Sequence, residues 1–138
     1  MAKTYNLFIS HSWTYGDAYE RLIALLNGDD GFSYSNYSVP KDDPIHNAKS
    51  DTALYNAIKA QIQPASVVLI LAGIYASYSK WIDKEIQIAN KAFSNKKPIL
   101  AIEPWGAEKT SMLVKANADK VVRWQTSSIV AAIKELAR

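Results

Sequence analysis

Nine consecutive residues hold the densest chemistry of the chain: Ser77-Tyr78-Ser79-Lys80-Trp81-Ile82-Asp83-Lys84-Glu85. They follow an apolar run, Val67 to Ala72, that reads as a strand, and they open a segment of helical period. With Ser79 as the N-cap, Trp81 falls in the first turn and Glu85 four residues on. An indole and a carboxylate then project from one helix face at the carboxyl end of a strand. In open α/β sheets, ligands bind outside that end of the strands. The plain alternatives are that a tryptophan on a helix packs against the core and that a lone helical glutamate is solvated.

Those two side chains need a scaffold, and the rest of the sequence supplies one. Apolar runs bounded by turn signals alternate with segments of period 3.6, the pattern of βαβ units and a parallel sheet. Tyr5 to Ser10 is the first strand. Asp17 and Glu20 form a capping box for a helix whose stripe is Ala18, Leu22, Leu25 and Leu26, ending near Asn27-Gly28. From Gly28 to Ser50 the chain is rich in Gly, Ser, Asn, Asp and Pro, and only Phe32 to Val39 offers a short strand; most of it reads as a long surface loop. Asp51 caps a second helix with Leu54, Ile58 and Ile62 inward, closed by Pro64 before the central strand.

The helix opened by Ser79 carries Ile82, Ile86, Ala89 and Phe93 toward the core, with Trp81, Glu85 and Ile88 on an adjoining stripe nearer the strand ends. Pro98 to Glu103 is the fourth strand, Glu108 to Ala118 a helix, Lys120 to Trp124 the fifth strand, and Thr126 to Leu136 the last helix with Ile129, Ile133 and Leu136 inward. Trp105 and Trp124, each at a strand end, read as hydrophobic plugs. Asp83 complements the positive end of its helix. The expected fold is α/β: a three-layer sandwich of flavodoxin-like shape around a mostly parallel sheet of about five strands, with residues 1–138 as a single domain.

Composition narrows the chemistry. The chain has 138 residues, 49% of them hydrophobic, which suits one core. With no cysteine and only two histidines, His11 and His46, a thiolate nucleophile is excluded and a metal site is not expected. Sixteen Lys and Arg against 13 Asp and Glu give a net charge of +3 spread along the chain, too little for a nucleic-acid groove. There is no basic-then-apolar leader and no apolar stretch near the roughly 20 residues that cross a bilayer, so a soluble cytoplasmic protein is expected. The Gly-x-Gly-x-x-Gly and Gly-x-x-x-x-Gly-Lys phosphate cradles are absent after strand one, where Ser10-His11-Ser12-Trp13-Thr14-Tyr15-Gly16 stands. A phosphoacceptor receiver would want an aspartate after the central strand, where the chain has Ala72-Gly73-Ile74.

Asn6-Leu7-Phe8-Ile9-Ser10-His11-Ser12 followed by Trp13, together with Ser77-x-x-x-Trp81-x-x-x-Glu85, resembles the Toll/interleukin-1 receptor (TIR) domains. The His-Ser-Trp variant after strand one is similar to the TIR-like proteins of the bacterial Thoeris antiphage system, the ThsB type. The resemblance implies an enzyme that consumes NAD as substrate, not cofactor, releases nicotinamide and makes a cyclic ADP-ribose isomer as a signal for a companion effector. It makes Glu85 catalytic and places Ser10, His11, Ser12 and Trp13 in a first loop that holds ribose or phosphate, with Ser77 and Trp81 beside it. It also implies a lid from the long loop after the second strand, with Tyr37, Lys41, Asp42 and Asp43 as candidates. Homo-oligomerisation on activation is a further implication, and neither membrane nor nucleic acid is an expected partner. Other members of the wider family act only by homotypic assembly, and that non-catalytic role, or a nucleotide sensor without turnover, remains open on sequence alone.

Overall fold

The computed structural model describes residues 4–10, 18–29, 31–37, 51–71, 80–103 and 112–137. Ten elements lie within them: β1 (Thr4–Ser10), α1 (Ala18–Asn27), β2 (Ser33–Asn36), α2 (Asp51–Ile62), β3 (Val67–Leu71), α3 (Lys80–Lys91), β4 (Ile99–Ile102), α4 (Met112–Asn117), β5 (Lys120–Val122) and α5 (Thr126–Leu136). The strands form one sheet in the order β2-β1-β3-β4-β5, and every pairing is parallel. The sheet is therefore wholly parallel where the sequence suggested mostly so.

Parallel strands covered on both faces need apolar residues at every position, not at alternate ones. All five residues of β3 and all four of β4 are buried. The two-residue alternation then divides them between two cores. Phe8, Val68, Ile70, Ile99 and Ala101 meet Ile58 and Ile62 of α2, Ile86 and Ala89 of α3 and Val114 of α4. On the other face Leu7, Ile9, Leu69, Leu71, Leu100 and Ile102 meet Leu22 and Leu26 of α1 and Ile129 and Ile133 of α5. Trp124 is half-buried against this second core, as the plug reading requires. Trp105 lies outside the described residues.

Boundaries moved where the sequence signal is polar. The second strand is only Ser-Tyr-Ser-Asn, at the sheet edge. It is held by side chains: Tyr34 stacks on Phe32 at 5.6 Å and Phe32 on Tyr5 at 5.5 Å, while the Tyr34 hydroxyl donates to Asn27 Oδ1 at 3.1 Å. Strand β5 stops at Val122 and does not run to Trp124.

Two lysines secure the amino end of the sheet. Lys97 Nζ donates to the carbonyls of Gln63 and Ala65 at 2.8 and 2.9 Å, placing a cation on the negative end of α2. Its ammonium is also 5.1 Å from the centre of the Phe93 ring. Burial holds its pKa below the usual lysine value.

Asp119 takes the Lys96 ammonium at 2.5 Å and the Ile99 N–H at 2.8 Å on one oxygen. Burial alone would raise its pKa, but the Lys96 hydrogen bond, the Ile99 N–H and the Lys96 charge outweigh that and hold it low. A carboxyl depressed on folding binds fewer protons folded than unfolded in the acid range. Its stabilisation is therefore present above the ordinary carboxylate range and is lost as pH falls through the depressed value. Asp119→Asn should reduce stability at neutral pH by no more than the roughly 0–1 kcal/mol of an exposed pair. The difference from wild type, followed by thermal melts across the acid range, should close as pH falls.

Candidate active site

The strand order fixes where a ligand can sit. Chain progression runs from β1 outward to β2 on one side and from β3 to β4 and β5 on the other, so the connections diverge between β1 and β3. Outside the carboxyl ends of those two strands lies the crevice where such sheets take nucleotides. Ser10, the last residue of β1, pairs with Ile70 of β3, and Leu71 of β3 pairs with Ile102 of β4. The sequence-predicted first loop therefore leaves the sheet at this crevice. His11, Ser12 and Trp13 themselves lie outside the described residues, as do Lys41, Asp42, Asp43 and Ser77 and the side chains of Ser10 and Trp81.

Helix α3 returns from the same end of the sheet. It begins at Lys80, so Trp81 is its second residue and Glu85 its sixth. Asp83 lies in the first turn, as the helix dipole favours, and its carboxylate accepts from Gln87 Nε2 at 3.0 Å. Glu85 is 1% exposed and is the one buried charged residue among the described residues.

This burial corrects one expectation. At about 100° per residue, Ile86, Ile88 and Ala89 bracket Glu85 on both sides, and all three are at most 2% exposed. Glu85 thus sits near the middle of the buried arc and not on a separate stripe beside it. Ile88, expected on that stripe with Glu85, belongs to the core cluster with Ile86 and Ala89. The solvated reading of this glutamate is excluded. A buried carboxyl on the helix that leaves the crevice end of an α/β sheet is a functional-site candidate.

Tyr37 is half-buried, and its N–H donates to Leu7 O at 2.8 Å, continuing the ladder one residue beyond β2. Asn36 pairs with Leu7, so Tyr37 stands level with Phe8, two residues and about 7 Å short of Ser10 along the strand. Its backbone is not brought to the mouth of the crevice.

Two charged residues that the sequence did not single out share the carboxyl edge. Glu103 follows β4 directly, and its Oε2 accepts from Lys115 Nζ at 3.2 Å. Glu103 could have been noticed by its place at a strand end; its pairing with a helical lysine 12 positions on could not.

A cleft of about 350 Å³ lined by Pro64, Ser66, Lys96, Lys97, Pro98 and Leu136 opens at the amino ends of β3 and β4. It is at the wrong end of the strands for the crevice chemistry, and its Lys97 is already engaged by α2. Among the described residues, no group of three His, Cys, Asp or Glu side chains is placed to hold a metal ion. No described helix is long and apolar enough to cross a membrane.

No curated protein matches the chain. The family model described as "Thoeris protein ThsB, TIR-like domain" matches residues 8–109, from within β1 to beyond β4, a span that includes Glu85.

Proposed function

The chain belongs to the TIR-like domain family of the Thoeris protein ThsB, and from that membership we propose that it cleaves NAD at the nicotinamide N-glycosidic bond, with Glu85 as the catalytic carboxylate. The observation that carries this reading is the burial of Glu85, 1% exposed, on the helix that follows the central strand at the switch point.

The chemistry fits a single acid. Ordinary glycoside hydrolysis uses two carboxylates because an alkoxide leaving group needs a proton. In NAD the leaving nitrogen is already positive: the C1′–N bond breaks, its electron pair goes to the pyridinium ring, and neutral nicotinamide departs without a proton. Positive charge moves to the ribose C1′ and ring oxygen, where a fixed anion in a dry site lowers the barrier most. Glu85 supplies that anion and accepts from the ribose hydroxyls. Trp81 supplies a wall for the pyridinium, worth about 0.5–2 kcal/mol, enough to orient the ring and too little to account for turnover. Ser10, His11, Ser12 and Trp13 hold ribose or phosphate beside the same strand ends, with Ser77 at the start of the motif. Asp42 belongs to the segment, entered from Tyr37, that closes over the nucleotide.

The nucleophile sets the product. Water at C1′ gives ADP-ribose, whereas a ring nitrogen or ribose hydroxyl of the same molecule gives a cyclic isomer, favoured when the pocket excludes water. The product is then the cyclic isomer, a diffusible signal to a companion effector in antiphage defence. Mass analysis of the earliest products tests it directly. A cyclic product is lighter than ADP-ribose by one water, whereas linear ADP-ribose as the sole product from the first turnovers onward would exclude cyclisation.

Trp81→Ala separates the two motif residues. Loss of an orienting wall should raise KM for NAD severalfold, up to the roughly 30-fold that 2 kcal/mol allows, with a smaller fall in kcat. Steady-state kinetics of nicotinamide release check this, and an unchanged KM would remove Trp81 from the site.

A further inference from the structure

The ion pair Glu103–Lys115 serves no step described above. Glu103 is fixed in the sheet, its N–H donating to Val122 O at 2.9 Å. It follows Ile102, the partner of Leu71, and so stands at the carboxyl edge one strand from the crevice. Each side chain of the pair is 32% exposed and within reach of a ligand at that edge.

Lys115 comes from the helix next to the one that carries Glu85. Val114 of α4 shares one core cluster with Ile86 and Ala89 of α3, so both helices cover the same sheet face. Asn90 Nδ2 donates to Asn117 Oδ1 at 3.4 Å, which puts those two residues at a common level. At 1.5 Å per residue, Lys115 stands about 3 Å and Glu85 about 7 to 8 Å nearer the carboxyl edge than that level. Packed helices lie about 8–10 Å apart, so the backbones of Glu85 and Lys115 are separated by on the order of 10 Å. One ribose, its 5′-phosphate and two side chains span that gap.

A dinucleotide whose reacting ribose sits at Glu85 must run one way or the other along the edge. Toward β2 the described ladder ends lower: Tyr37, the last described residue there, stands level with Phe8, two residues and about 7 Å short of Ser10. Toward β4 the strands stay level and the next helix presents an ammonium. The geometry points to Lys115 as the cation that receives the diphosphate of the substrate, with Glu103 holding that ammonium at the strand end until the phosphates displace it. This rests on the reading that NAD is the substrate.

Glu103 and the diphosphate compete for one ammonium and repel each other, so the two halves of the pair have opposite expected effects. ADP-ribose, which carries the diphosphate without the reacting bond, is titrated calorimetrically into the wild-type chain and three variants. Lys115→Met should weaken binding about tenfold or more, Lys115→Arg should retain most of it, and Glu103→Gln should tighten it. In turnover of NAD, Lys115→Met should raise KM with kcat within about twofold of wild type. Unchanged affinity in Lys115→Met would overturn the assignment. Weakening in both Lys115→Met and Glu103→Gln would mark the pair as a structural strut and overturn it too, as would failure of ADP-ribose to bind the wild type. Opposite responses without Glu85-dependent nicotinamide release would uphold the diphosphate contact and sink the catalytic reading instead.

Discussion

Glu85→Gln should lower nicotinamide release from NAD by at least about a hundredfold while leaving the fold intact. Glutamine keeps the shape of the side chain and its capacity to hydrogen-bond ribose hydroxyls; what it removes is the charge. If the acid only positions the sugar, the loss is small. If it carries the developing positive charge in a dry site, the loss is that of a main transition-state interaction, typically about 2.7–4 kcal/mol, a factor of roughly 10² to 10³. The second case is favoured by burial: Glu85 is 1% exposed, where an anion is screened little by water. Folding should survive because the neutral amide is cheaper to bury than the carboxylate. Far-ultraviolet circular dichroism and the melting temperature of the variant check that half of the expectation.

The largest effect on stability falls on the sheet floor beneath the crevice. Phe8 in β1 is fully buried among Ile58 and Ile62 of α2, Val68 and Ile70 of β3, and Ile86 and Ala89 of α3. Phe8→Ala should cost about 3–5 kcal/mol, combining lost transfer energy with the cavity left between a sheet and two helices. Against a typical total of about 5–15 kcal/mol, that is a fifth or more of the stability of an ordinary domain. Urea denaturation should show a lower midpoint with an unchanged slope. A cost below about 1 kcal/mol would mean that Phe8 does not pack between the two layers.

The layout of the sheet was legible because parallel strands buried on both faces leave a plain mark. The runs Val67 to Leu71 and Ile99 to Ile102 are apolar throughout, and the helices that cover the sheet carry stripes such as Ile58 and Ile62, or Ile129 and Ile133. Strand β2 was harder to bound, since Ser-Tyr-Ser-Asn at a sheet edge has little apolar content and is held by Phe32 and Asn27 from neighbouring segments. At the site, the spacing of Trp81 and Glu85 on one helix could be read from the chain. The depth of Glu85 could not. Pattern reasoning counts a glutamate as polar and assigns it outward, and only the packing of α3 against α2 and the sheet reveals that it faces in. Contacts between residues far apart in the chain were equally hidden: Lys96 with Asp119, Lys115 with Glu103, and the Lys97 ammonium on the carbonyls that end α2.

The most direct measurement is incubation of the purified chain with NAD, alongside Glu85→Gln, with chromatography and mass analysis of free nicotinamide and every ADP-ribose species. A parallel arm adds lysate from phage-challenged cells to supply an activating trigger. Nicotinamide release by the wild type in at least one arm, reduced a hundredfold or more in Glu85→Gln, is the predicted result. Equal release by both proteins, or none by the wild type in either arm, would contradict it, and the latter would favour a family member that acts by assembly alone.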